Sequence, residues 1–280
     1  MLRIIFESAA YQAAWLFLLF AIITPLEYWF AIRPRARFTR EGLTNLAWFG
    51  FNNMCTLALF APMSGLIAAL VHALLPAGLT GAAAGLPIGA KLVAALLVSD
   101  FGTYWGHRWC HRSNLLWRFH AVHHSAQDMT FLVASRSHPF DMLFTRFCGL
   151  VPLYAVGLAS AGSAGANMPV LFVIFVATFW TFFVHANVKW RWGAMSWLIA
   201  TPGFHHWHHS DGANGHKNFA ALFALYDRLF GSFVLPAEWP ERYGTTTPVP
   251  RRWLDQLLFP LTCRARSGEA ADAADRVAAE

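Results

Sequence analysis

Twelve of the thirteen histidines lie between His107 and His216, and most of them recur at helical spacing. His107 and His111 read HxxxH; His120, His123 and His124 read HxxHH; His205, His208 and His209 read HxxHH again. His185 closes an apolar run. Residues three and four apart on a helix share a face, so each cluster can offer two or three imidazoles to one point. His206 is turned about 100° from His205 and falls outside that set. Imidazole suits Zn, Cu, Fe and Ni. A structural zinc takes four ligands and a catalytic zinc usually three, so the clusters together exceed the needs of one ion. Carboxylate-rich di-iron bundles are a poor match, because acids are few nearby; a pair of imidazole-held irons fits better. Burying so many titratable rings without a ligand would be costly. Lone histidines such as His72 and His216 read as structural, and Cys110, between His107 and His111, is a conceivable extra ligand.

The elements that position these groups are apolar. The chain has 280 residues, 56% hydrophobic and only 13% charged, with 16% aromatic and mean hydropathy +0.40. A soluble domain carries roughly a quarter charged residues, so lipid must solvate part of this one. Five stretches approach the ~20 apolar residues of a spanning helix: about 9–32, 43–75, 88–104, 142–158 and 169–185. Pro62 and Gly65 predict a break in the second. Stretches 76–87 and 160–167 read as loops. The N-terminal run has no small-residue cleavage site and reads as a retained anchor. Tail 264–280 reads as frayed.

Net charge is +6, and its placement is informative. Only Arg3 and Lys91 lie outside three basic zones, 33–40, 108–146 and 189 to the end. By the positive-inside rule these zones face the cytoplasm, which brings all the histidine clusters to one side. No basic stripe interleaves with a soluble fold, which argues against nucleic-acid binding. The four cysteines lack paired spacing and read as free thiols. The fold class is therefore all-α: a multi-pass transmembrane helix bundle of about four to five spans, with a cytoplasmic helical cap carrying the histidines. We read one integral-membrane domain over 1–280, with N-terminal spans to 99, a catalytic region over 100–233 and a cytoplasmic tail over 234–280.

Asp100 precedes His107 by nearly two turns and shares its face. An intramembrane carboxylate is expensive, and Asp100 is expected to accept a hydrogen bond from a ligand imidazole, with pairing to Arg108 as the alternative. Glu27 has no obvious partner beyond snorkelling toward Arg33. Thr201-Pro202 predicts the start of a short helix and Ser210-Asp211-Gly212 its exit. Trp105, Trp109, Trp117, Trp180 and Trp207 either wall a substrate pocket or sit at the interfacial belt.

The strings DFGTYWGHRWCHRSNLLWRFHAVHHS (100–125), SRSHPFD (135–141), HAN (185–187), TPGFHHWHHS (201–210) and YDRLFGSF (226–233) resemble the fatty acid hydroxylase / sterol desaturase superfamily. The resemblance covers roughly half of the chain. It implies a membrane oxidoreductase with two iron ions that uses O2 and reducing equivalents on an unactivated C–H bond of a lipid, giving hydroxylation or, second, desaturation. It implies His107, His111, His120, His123, His124, His185, His205, His208 and His209 as ligands. Arg136 and His138 match a motif of the sterol-oxidising branch, and His138 stands open between a further ligand and a substrate-side group. Thr181 replaces a histidine found in some members, which leaves water, Asn187 or His138 to complete one site. Asn218-Phe219-Ala220 stands where Asn-Tyr-Gly is common. No fused haem domain is visible, so a separate electron-donor protein is expected. Residue usage points to a bacterial inner membrane. A metal-ion transporter or binding protein is the alternative, although transport sites favour broken helices at the midplane. A membrane zinc hydrolase or an inactive scaffold would not need nine imidazoles. The substrate stays open among acyl chains, sterol-like rings, hopanoids, carotenoids and ether lipids.

Overall fold

The computed structural model describes residues 2–34, 39–159 and 168–263. Arg35, Arg37, the loop expected at 160–167 and the tail expected at 264–280 lie outside them. The described residues are helical, with one isolated bridge between Ser210 and Tyr243. The long helices are α1 (Leu2–Trp29), α2 (Arg40–Cys55), α3 (Ala61–Leu74), α5 (Ile88–Arg112), α7 (Pro139–Ala155) and α8 (Met168–His185). Shorter pieces are α4 (Ala77–Thr80), α6 (Asn114–His124), α9 (Pro202–His208), α10 (Leu225–Leu229) and α11 (Trp253–Thr262). Of the two expected loops, the first contains α4.

Among the described residues, two helices are long and apolar enough to cross a membrane, Ala10–Trp29 and Met168–His185. A third span forms if α2 and α3 count as one, bent by 42°. The bend falls at a π-helical turn, Thr56–Phe60, just before Pro62, where the sequence predicts a break. The other two stretches read as spans are α5, which carries Lys91, Asp100 and Arg108 along with its histidines, and α7, which has 17 residues including Asp141 and Arg146.

α5 and α7 form the tightest pair in the bundle. Lipid tails are as apolar as leucine, so close backbone approach, not hydrophobic exclusion, favours such pairs. Gly102 and Gly106 supply that approach on α5. A Cβ on Gly102 would lie 2.1 Å from the Cys148 carbonyl oxygen, and one on Gly106 would lie 2.7 Å from the Cys148 Cβ. Around this seam Leu143, Phe147, Leu150, Leu153, Val170 and Val173 form the main core. α1 joins through Leu19 and Ile23, which pack on Phe131 and Phe182. Glu27 does not simply snorkel: its Oε1 accepts the backbone N–H of Phe131 (2.8 Å) and of Asn187 (2.9 Å), tying α1 to both segments.

The site helices start and stop on local signals. α5 ends at Ser113, whose hydroxyl then accepts the Leu116 N–H and caps α6. The reversal brings the last turns of α5 against α6. Thr201 caps α9 by accepting the Phe204 N–H, with Pro202 in the first turn. α9 gives out at His209, just before Ser210.

Candidate metal centre

Two compact imidazole groups lie side by side in the protein interior. The first joins His107 and His111 of α5, His120 and His124 of α6, and His208 of α9. The second joins His123 of α6, His185 at the end of α8, and His205 and His209. Within each group the candidate ligand atoms lie within 4.8 Å of one another, and all nine residues are buried. The interleaving follows from helical geometry. On α6, His120 and His124 face one group while His123 faces the other; on α9, His208 separates from His205 and His209.

Tautomers decide what these rings can bind. A carbonyl or carboxylate oxygen only accepts, so a ring Nδ1 beside one must donate, and the neutral ring then presents a bare lone pair at Nε2. Five rings are fixed in this way. His107 Nδ1 donates to the Phe219 carbonyl (2.7 Å), and His208 Nδ1 to that of Lys217 (2.7 Å). His123 Nδ1 donates to the Arg136 carbonyl (3.0 Å), and His185 Nδ1 to that of Thr181 (2.6 Å). His120 Nδ1 donates to the Asp141 carboxylate (3.0 and 3.1 Å).

The lone pairs then face one another. His107 Nε2 lies 3.0 Å from His120 Nε2, and His185 Nε2 lies 3.3 Å from His123 Nε2, with no proton available to either contact. His205 and His209 bring their Nε2 atoms to 3.0 and 3.1 Å from His185 Nε2. The Nε2 atoms of His111, His124 and His208 are buried without a partner. Two facing lone pairs repel unless a cation lies between them. Ligands about 2.1 Å from one ion and set at 90–110° stand roughly 3.0–3.4 Å apart, so both groups fit a metal ion. Burial, reinforced by neighbouring imidazoles, also holds His124, His205 and His209 well below the usual imidazole pKa, hence neutral and ready to ligate. For His208 burial and the His107 ring act in the same direction.

The family model for fatty acid hydroxylase matches residues 92–232, half of the chain. The chain belongs to the fatty acid hydroxylase family. It is 34% identical over 154 residues to the ornithine lipid hydroxylase OlsE of Rhizobium tropici, over 54% of this chain and 44% of that one. It is 28% identical over 146 residues to alkylglycerol monooxygenase of Xenopus tropicalis, and 30% over 139 residues to the human one, each time over 49% of this chain and 28% of the relative. The matches thus span less than half the length of these relatives. No solved structure matches the chain.

Other residues singled out in this fatty acid hydroxylase family member occupy different places. Asp100 touches no imidazole. Its carboxylate accepts the backbone N–H of Leu222 (3.0 Å) and of Phe223 (2.7 Å). Asp227 grips the same segment through the N–H of Phe219 (2.7 Å) and of Ala220 (2.8 Å). Asn218, at φ +60°, bonds through its side chain to Phe204 and Val234. The clamped strap 217–223 holds out the two carbonyls that fix His208 and His107. Asp100 is thus a support for the strap, because backbone donors 122 and 123 positions along the chain occupy its carboxylate.

The carboxylate that does meet an imidazole is Asp141. Burial alone would raise its pKa, but the His120 ring beside it outweighs that, and His123 and the Ser137 hydroxyl add to the fall below the usual carboxylate range. Sequence reasoning passed over Asp141 because an acid at the third position of a helix reads as an ordinary dipole partner. Its place in SRSHPFD was the available signal. Cys110 Sγ points to Asp141 (3.5 Å), outside both imidazole groups.

His138 is not drawn into either group; its Nδ1 accepts the Phe140 N–H and caps α7, while its ring packs on Phe119. Asn187 turns away too, bonding the backbone of Ile32 and Arg33. Arg136 is fully buried, with Nε on Asn45 (2.7 Å) and Nη1 3.5 Å from Glu41; its part in the centre is its carbonyl, on His123. His206 bonds Tyr243 and the Ala186 carbonyl. His216 lies beside the first group, with Nδ1 3.2 Å from that of His111.

A cavity of about 330 Å³ ends at the histidines. His107, His120, His123, His185 and His205 line it, together with aliphatic residues such as Leu96, Leu150, Leu153, Val170 and Ile174 and with polar ones. None of Trp105, Trp109, Trp117, Trp180 and Trp207 walls it. The wall comes from aliphatic positions of α5, α7 and α8, which leave room for a chain where indoles would fill it.

Proposed function

We propose that this chain is an O2-dependent, iron-containing membrane hydroxylase of a lipid C–H bond, with desaturation as the less favoured outcome. One ion would be held by His107, His111, His120, His124 and His208, and the other by His123, His185, His205 and His209. The observation that carries the reading is the pair of lone-pair-facing imidazole groups at the end of an apolar cavity. The names of the relatives, a lipid hydroxylase and a monooxygenase, support the same chemistry.

Alkyl C–H bonds resist acids and bases, and two bound irons supply the oxidising power, with O2, that side chains lack. The chain's own part is positional. Carbonyls of Phe219, Lys217, Arg136 and Thr181 keep Nε2 of four rings unprotonated. The Asp141 carboxylate makes His120 a stronger donor to a metal. The aliphatic walls exclude water and align an alkyl segment with the histidine end. We place the histidine face on the cytoplasmic side of a bacterial inner membrane, because Arg108, Arg112, Arg118 and Lys189 adjoin the histidine motifs in sequence. Electrons would come from a separate donor protein at that basic face.

The test is lipid mass spectrometry on cells that carry the intact gene or His123→Ala. A lipid that gains one oxygen only with the intact protein identifies the substrate, and a lipid that loses two hydrogens marks a desaturase. Unchanged lipids from iron-loaded, membrane-inserted protein would overturn the reading in favour of metal transport or storage.

A further inference from the structure

The cavity contains a cation that C–H chemistry does not require. Arg146 lies on α7, lines the same space as His107, His120, His123 and His185, and is itself exposed. The hydrogen bond described for it runs from Nη1 to Thr56 Oγ1 at 3.0 Å, at the π-helical turn between α2 and α3. Among the described residues no carboxylate forms an ion pair with it. Two carboxylates also line the cavity, and both are engaged elsewhere: Asp100 by the N–H groups of Leu222 and Phe223, and Asp141 by His120 and Ser137. Charged residues among membrane helices typically face cavities that handle polar or charged ligands. Guanidinium offers five donors in a planar fork that matches a carboxylate or phosphate.

We propose that Arg146 is the anion-binding subsite of this cavity and receives the carboxylate or phosphate of the lipid substrate. Its role as a substrate subsite rests on the hydroxylase reading above. The cavity is at the low end of the range for small-molecule sites, so it accepts one end of a lipid and not the whole. The substrate class that follows is a lipid whose anionic end enters this cavity.

The test uses the purified, iron-loaded full chain in neutral detergent and three single-chain probes: dodecanoate, dodecyl phosphate and dodecanol. Binding is read from the shift in the thermal unfolding midpoint as each probe is titrated. At least one anionic probe is expected to bind five-fold or more tightly than dodecanol, and the better one assigns the headgroup as carboxylate or phosphate. Arg146→Gln is expected to reduce that preference below two-fold while dodecanol binding and iron content stay at the intact level. Arg146→Lys is expected to restore most of the preference and shows that the charge, not folding, is at issue. Equal binding of all three probes by the intact protein overturns the proposal, as does a preference that survives Arg146→Gln. Preserved anion preference with no lipid oxidation in cells would instead sink the hydroxylase reading and leave the subsite standing.

Discussion

Asp141→Asn separates the two imidazole groups by experiment. Asparagine keeps the shape and one acceptor oxygen for His120 Nδ1, now 3.0 Å from the carboxylate, but removes the charge. Hydrogen bonds to an ionised acceptor are roughly twice as strong as neutral ones. Loss of a carboxylate behind a ligating histidine typically lowers metal affinity by about 10–100-fold, or about 1.4–2.7 kcal/mol. Only His120 donates a ring N–H to Asp141, and His120 belongs to the first group. The second group is supported elsewhere, by the carbonyls of Arg136 and Thr181. Protein equilibrated with a graded chelator and analysed for iron should therefore lose one ion at chelator levels 10–100-fold lower than the intact protein, while the other ion is released as before. If both ions shift together, or neither does, the assignment of Asp141 to one group is wrong.

Other consequences can be checked in the same preparations. Gly102→Ala places a Cβ against the Cys148 carbonyl and should destabilise by about 1–3 kcal/mol; an unaltered unfolding midpoint would contradict the close α5–α7 seam. Asp227→Ala leaves the N–H groups of Phe219 and Ala220 without their acceptor, at about 1–3 kcal/mol each. It should also loosen the Phe219 carbonyl on His107, so iron content should fall along with the midpoint. Glu27→Leu strands the N–H groups of Phe131 and Asn187 and should lower the midpoint by a similar mechanism with iron content retained. Removing metal by chelation should lower the midpoint and make it depend on the concentration of metal added back.

Legibility in the sequence followed the range of the interaction. The spacing of the histidines is local, so the helices and the faces that His107, His111, His120 and His124 share were readable from it. The caps at Thr201-Pro202 and the break before Pro62 were readable for the same reason. Which cluster pairs with which is a tertiary fact. Nothing in HxxHH says that His123 leaves its neighbours to join His185, 62 residues away. The acids were misread on the same ground. Asp100 looked like a partner for His107 because both lie on one helix face, yet its donors come from residues 122 and 123 positions along the chain.

The support behind the two groups is unequal, and the inequality has a direction. The first group has an anion behind it, Asp141 on His120, while its other fixed rings, His107 and His208, rest on neutral carbonyls. The second group has no carboxylate behind it: His123 and His185 rest on carbonyls, and Nδ1 of His205 and of His209 is buried without a partner. A neutral ring backed by a carboxylate is the more basic donor, so an ion held by the first group would meet a stronger donor than one held by the second. The cavity touches both groups, through His107 and His120 on one side and His123, His185 and His205 on the other. A substrate carbon held between Arg146 and the histidines would thus meet two electronically different positions, set by one aspartate on the first turn of α7.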